Sequence, residues 1–224
     1  MRIANLIRRK LVIVGDGACG KTSLLCSFAL GEFPRDYTRL TSGSAVFDNY
    51  VAEIRLDDKP VQLALWDTAG QEEYERLRPM SYSKSHVILI AFALDTPDSL
   101  ENVQTKWIEE VRSICGSHIP VILVGCKADL RPTAPYSNSP DNPPPWVTRE
   151  QGERTAQAIG ARAYKECSAL KIEGVDEVFE AATRASMLMR DGVASGDSRH
   201  HRRKSSSGKG IPEKEERGGC CVVC

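Results

Sequence analysis

A chain of 224 residues with 30 Lys and Arg against 30 Asp and Glu has no formal net charge, and 41% of it is hydrophobic. That fits one α/β domain with a tail better than two full domains, and the balanced charge gives no global reason to expect nucleic acid as a partner. No apolar run reaches the roughly 18 residues of a membrane span.

The basic start MRIANLIRRK leads into LVIVG at 11–15, which reads as a buried strand and not as a signal peptide. The next residues, GDGACGKT at 15–22, match G-x-x-x-x-G-K-[ST] between a strand end and a helix start. Glycines there let backbone N–H groups fold around phosphate oxygens, Lys21 can neutralise the outer phosphates, and the Thr22 hydroxyl can ligate Mg²⁺. Gly15, Asp16, Gly17, Ala18, Cys19, Gly20, Lys21, Thr22 and Ser23 form the phosphate-binding set.

Further on, VFDNYVAEIRLDDKPVQLALWD alternates across an Asp-Asp-Lys-Pro turn, which predicts an antiparallel pair at a sheet edge and a strand over 61–67. WDTAGQEEYERLRPMSY at 66–82 follows. Asp67 at the strand end can hold Mg²⁺ through water, the Gly70 N–H can reach a γ-phosphate, and Gln71 can orient an attacking water.

A strand is predicted over 86–95 and a helix over 99–114, capped by Asp98 or Ser99, with Leu100, Val103, Trp107 and Val111 on one face. The strand at 121–125 runs into GCKAD. Asp129 can accept from N1–H and the exocyclic amine of guanine, a donor pair that adenine lacks, and Lys127 can lie along the purine plane. Six prolines in 131–150 argue against a helix before about Thr148 and for an exposed excursion. The last strand, at 162–167, leads into CSAL, where Ser168 joins the site and the Ala169 N–H can bond guanine O6.

From about Asp191 the composition lacks apolar periodicity, so that tail is expected to be disordered. Five of the 8 cysteines are scattered through predicted elements and the rest crowd the end, a distribution that suggests a reducing compartment and no disulfide set. Strands alternating with helices imply parallel strands buried on both faces.

These motifs together, above all WDTAGQEEYERLRPMSY, resemble Rho-family small GTPases, and fungal Rho proteins of polarity and cell-wall control in particular. The resemblance spans about 10–190. It implies the P-loop NTPase (small GTPase) fold, with a six-stranded, mostly parallel sheet, one antiparallel edge strand and helices on both faces. The G domain would occupy 1–190, with the Pro-rich excursion 131–147 at the Rho insert position, and a hypervariable tail 191–224. Also implied are a GDP/GTP cycle with Mg²⁺, slow intrinsic hydrolysis with Gln71 and Lys21 as catalytic residues, and Gly17 placed where a side chain would crowd the arginine of a GTPase-activating protein. Partners would be exchange factors, GTPase-activating proteins, a dissociation inhibitor and effectors such as kinases or polarity factors. The protein would be a monomer without nucleic acid. The terminal GGCCVVC resembles a prenylation box, with Cys221 as prenyl acceptor and Cys220 as a candidate palmitoyl site. That implies the cytoplasmic face of the plasma membrane or endomembranes, with an inhibitor-bound cytosolic pool.

The first switch departs from the family pattern. Phe33 and Tyr37 match its start, and Val46, Phe47, Asp48, Asn49 and Tyr50 match its effector end. Between Tyr37 and Val46 stand eight residues, TRLTSGSA, where the family carries three ending in Pro-Thr, and Ala45 takes the threonine's place. Lengthening such a loop costs only ~0.4 kcal/mol, so the fold should survive. A methyl cannot coordinate a hard cation, however, and losing a charge-assisted contact is worth about 1.5–3 kcal/mol. Three readings stand: Thr41, or else Ser42 or Ser44, restores the contact; the chain is a guanine-nucleotide-binding scaffold with impaired switching; or the block is a mis-called splice junction.

Overall fold

The computed structural model describes residues 6–34, 49–68, 76, 78–132 and 145–189. Six strands form one sheet in the order β2-β3-β1-β4-β5-β6. They are β1 (Ile7–Gly15), β2 (Asn49–Leu56), β3 (Lys59–Trp66), β4 (Val87–Ala93), β5 (Val121–Cys126) and β6 (Ala163–Glu166). Every pairing is parallel except β2 with β3, which puts the antiparallel strand at the edge as the alternating pattern predicts. Asp57 and Asp58 make the two-residue turn with φ of 48° and 61°, the left-handed pair that a tight hairpin between right-twisted strands demands.

β4 and β5 are buried along their whole length, which is why their sequences are continuous apolar runs. Alternate β1 residues serve two cores. Leu11 and Ile13 pack with Leu24 and Leu25 of α1 (Lys21–Leu30) and with Val178, Phe179 and Ala182 of α6 (Val175–Ser186). Val12 and Val14 face Leu100, Val103, Trp107 and Val111 across the sheet. Phe28 stacks on Phe179 at 3.7 Å, fixing α1 against α6.

β1 begins at Ile7, four residues before the apolar run, because β3 continues the ladder opposite it from Val61. Lys10 lies there with Nζ 3.7 Å from the Trp66 ring centroid, so its charge is accommodated at a strand position. A short helix, α2 (Arg78–Tyr82), precedes β4.

The helix after β4 corrects two expectations. Its N-cap is Thr96, with Pro97 at the first position; Ser99 instead turns its hydroxyl back to accept from the Ala93 N–H at 3.0 Å. It is also not one continuous α-helix. α3 (Pro97–Asn102) passes into a π segment, Val103–Trp107, and then into α4 (Ile108–Cys115).

A helix after the prolines begins at the expected place: α5 (Arg149–Ala158) is capped by a reciprocal Thr148–Gln151 capping box. Arg131 and Val147 flank the excursion, and Arg131 donates to both the Val147 carbonyl, at 2.8 Å, and the Glu166 carboxylate, at 2.8 and 3.0 Å. Residues 133–144 and the tail from 190 lie outside the described residues.

Candidate nucleotide-binding site

The loops at the carboxyl ends of β1, β3, β5 and β6 meet at one edge of the sheet, where open α/β sheets bind ligands. The loop after β1 is shaped by its glycines. Gly15 takes φ of 145°, and a Cβ there would sit 2.0 Å from the Ala91 carbonyl oxygen, so no other residue fits. Ala18 adopts a left-handed φ of 58°, and Gly17 and Ala18 are exposed at the loop's crest. α1 starts at Lys21 behind a glycine N-cap with no side-chain cap, so its first-turn N–H groups and positive dipole end face the loop.

Lys21 is buried, with Nζ donating to the carbonyls of Gly15 at 2.9 Å and Asp16 at 2.7 Å, across the concavity of the loop. Cys19 lies beneath it, its thiol pushed up to about 11 by burial. It is a packing residue of the loop and not a reactive thiolate.

Thr22 in the first turn of α1 donates its hydroxyl to the Asp67 carboxylate at 2.5 Å. Asp67 is buried just beyond β3, and the next residue, Thr68, is pinned by its own hydroxyl to the Ile13 carbonyl at 2.7 Å. A hydroxyl and a carboxylate converging beside a phosphate loop are hard oxygen donors of the kind Mg²⁺ takes, so the residues fit that ion.

The residues expected to read the base and their partners come together from three loops, those after β4, β5 and β6. Lys127 takes φ of 63° and lays its ammonium 3.3 Å from both Asp95 carboxylate oxygens. Asp129 accepts at Oδ1 from the hydroxyl of Ser168, itself fully buried, at 2.6 Å. The Ala128 N–H donates to the Cys167 carbonyl at 3.0 Å, and the Ala169 carbonyl accepts from the Ser27 hydroxyl of α1 at 3.1 Å. The loops after β5 and β6 are therefore anchored to each other, and the second of them to the helix that carries Lys21 and Thr22.

Phe33 is half-buried, Asn49 is exposed, and the Tyr50 hydroxyl accepts from the Cys26 thiol at 3.3 Å. Gly70, Gln71, Tyr37, Thr41, Ser42, Ser44, Ala45, Val46, Phe47, Asp48, Cys220 and Cys221 lie outside the described residues.

Sequence reasoning missed Ser27, Asp95, Asn102 and Trp107. The last two hold the Asp16 carboxylate, Asn102 Nδ2 at 2.8 Å and Trp107 Nε1 at 2.7 Å. No local signal marks them, because each acts on a residue at least 32 positions away.

A family model described as Ras family matches residues 10–188. The chain is 62% identical to GTP-binding protein rho2 of Schizosaccharomyces pombe over 187 residues, covering 83% of this chain and 90% of the relative. It is 59% identical to rho1 of the same yeast over 188 residues, with coverages of 83% and 90%. To RHO1 of Saccharomyces cerevisiae it is 56% identical over 189 residues, 84% of this chain and 87% of that one. With the six-stranded sheet and the phosphate loop in place, these likenesses identify the chain as a member of the Ras family and, within it, a Rho-type GTPase.

Proposed function

We propose that this GTPase is a Mg²⁺-dependent, membrane-anchored switch, cycling between GDP and GTP to signal to effectors of actin organisation, cell polarity or cell-wall synthesis. The observation that carries the reading is the Thr22–Asp67 pair at 2.5 Å beside the uncapped start of α1, an oxygen donor set set against an anion site. Thr22 would hold the ion directly and Asp67 through its outer shell. Bound there, Mg²⁺ supplies charge neutralisation at the phosphates and a fixed point for their orientation.

The chain's own groups supply the rest. The loop amides and Lys21 stabilise charge developing on the transferred phosphoryl group, and Gln71 orients the attacking water. Gly17, exposed at the crest of the loop, leaves room for an arginine brought by a GTPase-activating protein. Asp129 and Lys127 read the guanine, with Ser168 fixing the Asp129 carboxylate. The expected regulators are exchange factors and a dissociation inhibitor. Prenylation at Cys221, with acylation at Cys220 as a second anchor, would hold the protein on a cytoplasmic membrane face, since one lipid alone binds marginally.

Ala45 in the place of the switch threonine favours a second reading, a guanine-nucleotide-binding scaffold that binds regulators without discriminating the two nucleotides. The anchor is tested by the partition of the full chain between membrane and soluble fractions. Cys221→Ser should move it to the soluble fraction, and an unchanged distribution would refute prenyl anchoring.

A further inference from the structure

Asp16 sets a carboxylate inside a loop built to receive phosphates, a local conflict of charge that the rest of the site does not explain. Its backbone carbonyl faces the Lys21 ammonium at 2.7 Å, while its side chain turns to the helix after β4. There both carboxylate oxygens are taken, Oδ1 by the Trp107 indole N–H at 2.7 Å and Oδ2 by the Asn102 amide at 2.8 Å. Trp107 is fully buried, so its N–H has a fixed direction.

Asn102 and Trp107 are five residues apart, about 140° around an uninterrupted α-helix. Two side chains so separated would not reach one carboxylate. The π segment Val103–Trp107 lies between them, and the Ile108 N–H donates to the Val103 carbonyl, five residues back. This wider turn brings the two donors to the same side, and π segments are rare enough that one with a definite consequence calls for a reason.

We infer that Asn102 and Trp107, aligned by the π segment, are positioning residues of the phosphate loop, which hold the Asp16 carboxylate between two N–H donors and away from the nucleotide's phosphates. The inference rests on the phosphate-loop reading above. Both donors stabilise the carboxylate where it does not oppose the ligand, so Lys21 and the loop amides meet the phosphates without a competing anion. Losing either donor lets the carboxylate rotate toward the loop, and the penalty then scales with the charge of the ligand.

The experiment measures dissociation constants of the full chain with Mg²⁺ for GMP, GDP and a non-hydrolysable GTP analogue. Tight GDP binding by the parent tests the site itself, and the variants test the inference. Trp107→Phe, which keeps the ring and removes the N–H, should weaken GDP roughly ten-fold, the GTP analogue more, and GMP less than about three-fold. Adding Asp16→Ala to Trp107→Phe should recover most of the GDP affinity that Trp107→Phe loses, because the released side-chain charge is gone while the backbone carbonyl that meets Lys21 stays. Asn102→Ala, at a half-buried position, should give the same graded pattern even where the Trp107 variant folds poorly. No loss, an equal loss for all three nucleotides, or a double variant no better than Trp107→Phe would overturn the inference and leave the contacts a matter of packing.

Discussion

Ser168 holds the carboxylate of Asp129, its buried hydroxyl donating to Oδ1 at 2.6 Å. The same oxygen of Ser168 accepts from the Lys171 N–H at 3.1 Å, so the hydroxyl proton is directed at Asp129 and the lone pair at the loop. Ser168→Ala should therefore loosen the carboxylate without removing it. A loss of about 1 kcal/mol, near five-fold in GDP affinity, is expected, with the preference for guanine over xanthine retained. Asp129→Asn should instead lose that preference, because its amide presents a donor to the guanine N–H groups. Competition with xanthosine diphosphate distinguishes the two variants, and unchanged discrimination in Asp129→Asn would refute the base assignment.

Arg78 is fully buried and forks onto Glu110 at 2.9 and 2.8 Å, above the face of Trp107. The Tyr82 hydroxyl adds a bond to the same carboxylate at 2.6 Å. Glu110→Ala would withdraw both carboxylate oxygens from a buried guanidinium, at a cost of about 3 kcal/mol. Urea unfolding should show a lower midpoint at unchanged slope. A shift below about 0.5 kcal/mol would mean that the fork contributes little.

Acid should destabilise the protein through two such carboxylates. Burial acts to raise Glu110, yet the bonds from Arg78 and Tyr82 and the charge of Arg78 outweigh it and hold the carboxyl below its ordinary 4.5. Glu166 is lowered in the same manner, burial being outweighed by Arg131 and Tyr164. A carboxyl lowered in the folded state contributes stability that is complete above the unfolded value and is lost as pH falls through the folded one. Unfolding free energy should be insensitive to these groups above pH 4.5 and decline below it. In Glu166→Gln part of that decline should vanish, and an identical pH profile in parent and variant would contradict the assignment.

If Gln71 orients the attacking water as proposed, Gln71→Leu should abolish hydrolysis stimulated by a GTPase-activating protein while leaving GTP affinity within about three-fold. Single-turnover release of phosphate from GTP-loaded protein reads this directly. Normal stimulated turnover would remove Gln71 from the mechanism.

Much of the fold was legible because its signals are local. LVIVG followed by GDGACGKT places strand, loop and helix within a dozen positions, although the close approach of Ala91 that makes Gly15 obligatory comes from β4. The Asp57-Asp58 turn and the Thr148 cap are likewise short-range. Asp98 and Ser99 are both good capping residues, so the sequence favoured them; Pro97 at the first helical position moved the start to Thr96. The π segment left no mark, since Leu100, Val103, Trp107 and Val111 are buried on one face as an α-helical period requires. The contacts that bind the site into one unit join distant positions, Ser27 to the Ala169 loop and Trp107 to Asp16, and single-residue propensities do not carry them.

The TRLTSGSA block between Tyr37 and Val46 bears on whether the nucleotide's third phosphate is reported to a partner. Switching requires a partner to bind the two loaded states with different affinity, since equal affinity shifts nothing. The decisive titration is of a Rho effector's GTPase-binding module against the full chain loaded with GDP or with a non-hydrolysable GTP analogue. A cycling switch predicts at least about ten-fold tighter binding to the GTP-analogue form. Equal affinity for the two forms would contradict it and leave a nucleotide-binding scaffold.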